Sequence, residues 1–399
     1  MKRINIISLV VCACLLLIAF FLRYEQKKNM HEDRTIKVGF LYVNDESAPY
    51  TYNFIMAQNA IEVKYQDRVE IFVENNVPEE NAAEGLERLV KKGCDLIFTT
   101  SYGYQFTAKE FAEKYPDIQF CVATGDLANK DVKLDNYHNF MGRICEGRYV
   151  SGVVAGMKLK EMVEQGEIKP EQAVVGYVAA VPYAEVISGY TAFFLGIRSV
   201  MPTATMKVRY TNTWSDYMTE KREAKKLIED GCVVIGQHSD TVGPAEACEE
   251  SEQQYHVYNV GYNQSMMDVA PTSTLVSTRI NWEPYMCAAV EAVLAGKDIE
   301  KYVDAKIVGN DACGGMAEDW VRMVELNTTN TDQSYADKME DVISDIKRGK
   351  IDIFKGPYKG VDPEDPNDTI DISGGFEENE HGSAPEFHYV LQDVIEIEE

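Results

Sequence analysis

The sequence predicts an α/β protein built as two doubly wound lobes of parallel sheet, and three observations carry that expectation. Short β-branched or aromatic runs alternate with longer segments of helical period, the pattern of parallel strands joined by crossover helices. The alternation occurs twice in the same order. A fragment is also repeated: LVKKGCDLIFTTS at 89–101 returns 138 residues later as LIEDGCVVIGQHS at 227–239. Leu89, Val90, Gly93, Cys94, Leu96, Ile97 and Ser101 fall on Leu227, Ile228, Gly231, Cys232, Val234, Ile235 and Ser239 without a gap.

In the first half the expected strands are KVGFLYV, VEIFVE, DLIFTTS and IQFCVA, separated by helices at TYNFIMAQNAIEVKY, ENAAEGLERLVKKG and QFTAKEFAEKYP. In the second they are AVVGYVAA, MKVRYTN, VVIGQHS and HVYNVGY, with helices at AEVISGYTAFFLGIRSV, MTEKREAKKLIEDG and GPAEACEESEQQ. The 138-residue offset also lays VEIFVENN (69–76) on KVRYTNTW (207–214), and KVGFLYV falls on VVGYVAA with one residue fewer. Each half is thus a βαβαβ unit. Right-handed crossovers place the C-terminal ends of both strand sets in a shared cleft. Two further helices are expected to carry the connections: NFMGRICEGRYVSGVVAGMKLKEM (139–162) opens the second lobe and STRINWEPYMCAAVEAVLAGK (277–297) returns to the first. WVRMVEL and a helix ending DVISDIKRGK then precede IDIFKGP. The expected organisation is an N-terminal membrane or signal segment and connector (1–34), an N-terminal lobe (35–138 plus about 265–300), a C-terminal lobe (139–264 plus about 301–360) and an acidic tail (361–399).

A chain of 399 residues with 45% hydrophobic content can bury two cores. Its formal charge of −26 excludes nucleic acid and anionic surfaces as partners, because long-range repulsion opposes each encounter. From Gly360 onward there is no Lys or Arg, and thirteen acidic residues supply half of that excess. In this tail TIDIS is expected to pair as a strand while EENEHGSAPE stays a solvated loop; no EF-hand pattern supports calcium there.

At the N-terminus Lys2 and Arg3 precede INIISLVVCACLLLIAFFL, 19 residues without a charge. At ~1.5 Å rise per residue this spans roughly 28 Å, close to a bilayer core. The reading is an uncleaved membrane anchor. A cleaved signal peptide is one alternative, and a lipoprotein with Cys14 of VCAC lipidated is another. All three place the remainder outside the cytoplasm, at the cell surface or in the periplasm. Apart from Cys12 and Cys14, the cysteines number seven, sit mostly in apolar runs such as FCVA and YMCAAV, and read as small buried hydrophobes rather than a disulfide framework.

Loops that follow the strands open into the cleft and are the places to look for ligand contacts. They bring Tyr50, Tyr52 and Asn53 after the first strand, Ser101, Tyr102 and Tyr104 after the third, Thr213, Trp214 and Asp216 after MKVRYTN, and Ser239 and Asp240 after VVIGQHS. Such aromatic and polar groups suit a flat heteroaromatic solute: stacking on a ring contributes on the order of 1–3 kcal/mol, and buried polar groups then discriminate. Asp216 and Asp240 also read as helix N-caps, and Trp214 as a residue closing a strand end. QHSD is not a catalytic triad, because adjacent strand residues point to opposite faces. The histidines show no metal spacing, and no cofactor is expected.

VGFLYV, LIFTTSYGY followed by FAEKYPDIQF, GRICEGRYVSGVVAG, GYVAAVPYAEVISGYTAFFLGIRSVMPTA, YTNTWSD, IGQHSDTVGPAEACEE, STLVSTRINWEPY and IFKGP occur in an order and spacing that resemble the basic membrane protein (BMP) family of ABC-transporter substrate-binding lipoproteins. The resemblance runs from about Lys37 to Gly360. It implies a type I periplasmic-binding-protein fold with a multi-strand hinge, a purine nucleoside or nucleobase ligand, an ABC permease as partner, and no turnover. In the family the position matched by Trp214 stacks on the base. Family members carry an acidic residue followed by Ser-Phe-Asn or Gly-Trp in the first loop, where this chain has DESAPYTYN with Tyr50 and Tyr52. The nucleoside-binding branch has Asp where Gly261-Tyr262-Asn263 gives Asn263, and Lys where Ile280 or Asn281 stands. Both changes remove ribose-binding charge, so a nucleobase or another small aromatic solute is as well supported as a nucleoside. The expected protein is a monomeric extracytoplasmic solute-binding component of an importer; the alternative is a receptor domain signalling ligand occupancy through a membrane partner.

Overall fold

The computed structural model describes residues 34–130, 134–251 and 256–398. The apolar segment 4–22 lies outside them, and among the described residues no helix is long and apolar enough to cross a membrane. Two seven-stranded sheets carry the molecule. The first holds β1 (Ile36–Leu41), β2 (Val69–Glu74), β3 (Leu96–Thr99), β4 (Gln119–Ala123) and β5 (Tyr137–Gly142) in the order β2-β1-β3-β4-β5, extended by β12 (Asp311–Gly314) and β11 (Lys306–Val308). The second holds β6 (Val174–Ala179), β7 (Thr205–Tyr210), β8 (Val234–Gln237), β9 (Tyr258–Tyr262) and β10 (Thr274–Ile280) in the order β7-β6-β8-β9-β10, flanked by β13 (Val321–Val324) and β17 (Ile395–Glu398). All eight strands expected from the repeat are present. Strands such as LIFT and VIGQ are buried on both faces, as crossover-covered parallel strands must be. The result is the periplasmic-binding-protein architecture.

The repeated fragment is the same local structure in both lobes. Helix Ala82–Lys92 buries Ala82, Gly85, Leu86 and Leu89 on one stripe and ends at Gly93, whose φ of 78° is left-handed. Helix Tyr217–Glu229 ends the same way, with Gly231 at φ 87°. In each case the cysteine that follows returns its N–H to the helix, Cys94 to Leu89 O (3.4 Å) and Cys232 to Leu227 O (3.0 Å). The strand alignment is less uniform. Lys37 pairs with Glu70 and Val174 with Thr205, so these partners lie 135 residues apart and the 138-residue offset misplaces the second strand by three. The first crossover carries an additional turn, Gln66–Arg68, before its strand.

The chain passes between lobes after Gly142, after Ile280 and after Gly314, which differs from the expected boundaries. Residues 139–142 and 277–280 are not helix starts: they complete β5 and β10, strands buried between neighbours, and the helices begin only at Ile144 and Glu283. Residues 306–314 belong to the first sheet, not the second. Helix Ile144–Gln165 lies against helix Ala184–Val200 with backbones touching: a Cβ on Gly152 would collide with the Phe193 carbonyl oxygen, and one on Gly196 with that of Tyr149.

The acidic tail is also folded. TIDIS pairs as expected, through β15 (Thr369–Asp371) on β14 (Lys359–Val361), which also pairs with β16 (Val390–Leu391). Residues 377–386, however, are not a solvated loop. Asn379 and Ser383 are buried; Ser383 N–H donates to Asp311 Oδ2 of the first sheet (3.0 Å), and Ser188 Oγ of the second lobe donates to Glu378 (2.6 Å). Phe387 stacks on Phe354 at 4.6 Å, and IEIE at the end adds β17 beside β7, where Lys207 and Arg209 pair with Glu398. Apolar burial and ion pairs outweigh the segment's negative charge. Burial pushes Asp311 up to about 6 and Glu378 up to about 7. Both therefore hold a proton that the unfolded chain has lost, so their contribution to stability falls as pH rises from the ordinary carboxylate range through about 7. Amide exchange at Ser383 and Phe387, corrected for intrinsic rate, is expected to show more protection at pH 5 than at pH 8, and Glu378→Gln to shrink the difference. Equal protection at both pH values would contradict this. The seven cysteines among the described residues are free and buried, as the apolar runs around them suggested.

Candidate functional site

Both sheets reverse strand order between their first and third strands, and the loops leaving β1, β3, β6 and β8 meet there. They enclose a cavity of about 300 Å³. The first lobe contributes Asn44, Tyr50, Glu79, Ser101, Tyr102 and Thr124; the second contributes Glu185, Trp214, His238, Asp240 and Tyr262. A mouth of about 440 Å³ adjoins it and is walled by Tyr183 and by Asp362, Glu364 and His388 of the tail. Rings run in sequence across the cleft: Tyr102 to Tyr183 (6.5 Å between centroids), Tyr183 to Trp214 (6.2 Å), Trp214 to His238 (6.3 Å) and His238 to Tyr262 (5.2 Å).

Of the residues expected in the site, Tyr50, Ser101, Tyr102, Trp214 and Asp240 line this cavity. Tyr50 donates to Thr100 O (3.0 Å), and Ser101 Oγ donates to Glu79, which also accepts Gly103 N–H at 2.9 Å. Asn53 and Asn263 form the layer behind. Asn53 Nδ2 donates to Asn263 O (3.0 Å) across the lobes, Asn263 Nδ2 donates to Asp240 Oδ1 (2.8 Å), and Arg279 donates to Asn53 Oδ1 (3.1 Å). Asn263 sits at φ 67°, a conformation Asn tolerates better than most residues.

The remaining expectations fall elsewhere. Tyr52 is 47% exposed on its helix; Asp216 caps helix Tyr217–Glu229 through Thr219 N–H (3.1 Å) and does not line the cavity. Ser239 is buried on the face toward Glu220, while His238 and Asp240 on either side of it reach the cavity; Ser239 is thus turned away from both neighbours, although all three lie beyond the end of β8 at Gln237 and strand alternation is not the cause. Gly261 backs onto Ser277 and Met266. Asn281 is held at an inter-lobe crossing, its Nδ2 donating to Asp319 O (2.8 Å). Tyr104 is in the first-lobe core, its hydroxyl bonded to Val77 O. Glu185, His238, Tyr262, Tyr183 and Thr124 were not anticipated. The rule that loops follow strands would have found Tyr183 and Glu185 in VPYAE, directly after AVVGYVAA.

Behind the second-lobe wall lies Arg148, fully buried, donating to Gln237 O (2.6 Å) with its guanidinium carbon 3.8 Å from the Tyr262 ring centroid. Burial, and then this neighbouring cation, depress His238 to about 4, although Glu185 lies 3.5 Å from its Nε2. Burial, and then the charges of Glu220 and Glu185, push the Asp240 carboxyl well above the usual range. The wall is therefore a neutral imidazole between acidic side chains, suited to accepting hydrogen bonds from a ring-shaped guest.

Comparison with known proteins agrees with this geometry. The family model of PnrA-like ABC transporter substrate-binding proteins matches residues 44–353. The chain is 30% identical over 334 residues to a purine-binding protein of Brucella abortus, covering 83% of this chain and 87% of that one. It is 29% identical over 326 residues to a Haloferax volcanii protein named for glucose binding in an ABC transporter, covering 82% of this chain and 75% of that one. A solute-binding protein of an Aeropyrum pernix ABC transporter superposes with a TM-score of 0.61 at 16% identity, over 83% of this chain and 94% of that one. The chain belongs to the PnrA-like family of ABC transporter substrate-binding proteins, which bind small solutes outside the cytoplasm for a permease and do not turn them over.

Proposed function

We propose that the solute is a flat heteroaromatic molecule, of the nucleobase or purine nucleoside class, held in the cavity between the lobes by Tyr50, Ser101, Tyr102, Trp214 and Asp240 together with Glu185, His238 and Tyr262. In this reading Asn53 and Asn263 fix the orientation of Asp240 from behind, and the N-terminal segment tethers a monomer to the membrane beside its permease. The observation that carries it is the run of rings from Tyr102 to Tyr262, drawn from both lobes, so that closure brings aromatic faces to both sides of a planar guest. The purine-binding name of the Brucella relative supports the class.

A ligand that binds only the folded state raises its melting temperature, so a thermal-shift screen is the direct test. Nucleobases and nucleosides are expected to shift the transition, and hexoses and amino acids to leave it in place. A shift with glucose and none with purines would overturn the assignment.

A further inference from the structure

We infer that the solute is positively charged: the cleft is built for a flat organic cation, or for a ring bearing a protonated or quaternary nitrogen. This rests on the reading above that the inter-lobe cavity is the binding site. The inner cavity carries Glu79, Glu80, Glu185 and Asp240, and the mouth adds Asp126, Asp362 and Glu364. Among the described residues no Lys or Arg lines either space. Some of these groups have partners, since Asp126 is paired with Lys130 at 2.6 Å and Glu79 accepts from Ser101 and Gly103. Among the described residues Glu185 has the buried imidazole of His238 at 3.5 Å as its partner, and Asp240 accepts from the uncharged amide of Asn263, with the charge of Arg148 acting on it from behind the wall. Arg148 is the cation behind this wall, but it is fully buried and Tyr262 stands between it and the cavity.

Acidic groups gathered in a partly dry cleft without countercharge on the lining either take up protons, the direction in which Asp240 is pushed, or are stabilised by a cationic ligand. Aromatic faces add to the same preference, because the ring quadrupoles of Tyr102, Tyr183, Trp214 and Tyr262 attract cations. A bare metal ion fits less well. Among the described residues the one group of three metal-ligating side chains within mutual reach is Asp362, Asp368 and His388 of the tail, two of which wall the mouth and none of which lines the inner cavity. The inner acids are spread around rings, matching an extended cation, and the overall charge of −26 steers cations inward.

The test uses the full chain in detergent and two matched series read by calorimetry. The first is 1-methyladenosine (cation), adenosine (neutral) and adenosine monophosphate (anion); the second is tryptamine, tryptophol and indole-3-acetate. In at least one series the cation is expected to bind about tenfold or more tighter than its neutral analogue, with the anion weakest, and Glu185→Gln is expected to narrow the cation-to-neutral ratio. Neutral or anionic members binding as tightly as the cations would overturn the inference while leaving the aromatic reading intact. Binding of no member, with a sugar bound instead, would sink the aromatic reading and this inference together. Calcium chloride alone, raising the melting temperature as far as the organic cations do, would overturn it in favour of a metal.

Discussion

Trp214→Ala is expected to weaken solute binding about tenfold or more, since one base–ring stack contributes on the order of 1–3 kcal/mol. The unliganded protein should melt within about 2 °C of the parent. The two halves of this expectation have different causes. Trp214 is half-buried in the loop that follows β7, 6.2 Å from Tyr183 and 6.3 Å from His238, with one side open to the cavity. Its backbone contribution survives truncation, because the bond from Asp240 N–H goes to the Trp214 carbonyl (3.0 Å). Trp214→Phe keeps a ring and should recover part of the affinity. If Trp214→Ala binds within about threefold of the parent, the ring is not in the site.

The largest effect on stability is expected from Gly152→Val. Helices Ile144–Gln165 and Ala184–Val200 approach so closely at Gly152 that any side chain meets the Phe193 carbonyl, which is backbone and cannot rotate away. Gly196 meets the Tyr149 carbonyl in the reciprocal sense, so the helices must separate over at least a turn, and with them the second core cluster, which includes Val154, Phe193 and Ile197. Overpacking typically costs about 1–3 kcal/mol, and a backbone collision belongs at or above the top of that range. At about 2–4 °C per kcal/mol for a domain of this size, the melting temperature should fall by roughly 10 °C. Gly374→Ala, in the open tail with nothing within contact range, is the control and should be neutral. A Gly152→Val protein that melts with the parent would show that the two helices are not in backbone contact.

The fold was legible because its strands and helices carry opposite signatures. Runs such as LIFT and VIGQ are buried along their whole length, whereas helix Ala82–Lys92 is apolar on one stripe only, and a left-handed glycine marks where each repeated helix stops. The failures have the same physical origin. NFMG and STRI adjoin strongly helical segments, and a short run buried on both faces looks the same whether it completes a strand or begins a buried helix. In the tail, charge counted for more in the reading than it does in the fold, because Phe376 and Phe387 bury against Phe354 whatever their neighbours carry.

Tyr50, Ser101, Tyr102, Trp214 and Asp240 of the cavity lining were legible as residues of loops after strands. Tyr52 illustrates the limit: Tyr50 and Asn53, three apart on helix Pro49–Tyr65, share a face, while Tyr52 is turned away to solvent. Gly261 and Asn281 were chosen for their place in a motif, and such proximity along the chain did not bring them to the cavity. His238, Tyr262 and Arg148 could not be read from local pattern, because their association depends on three separate elements meeting behind one wall.

Two repeated lobes are proposed to hold a planar solute between aromatic rings at their shared edge. A crystal structure of the protein with the ring compound that gives the largest thermal shift tests it directly. The expected density lies between Tyr102 and Tyr262, stacked on Trp214 and bonded to Asp240 or Glu185. Density for that compound bound outside the inter-lobe cavity, with Trp214 untouched, would contradict the account.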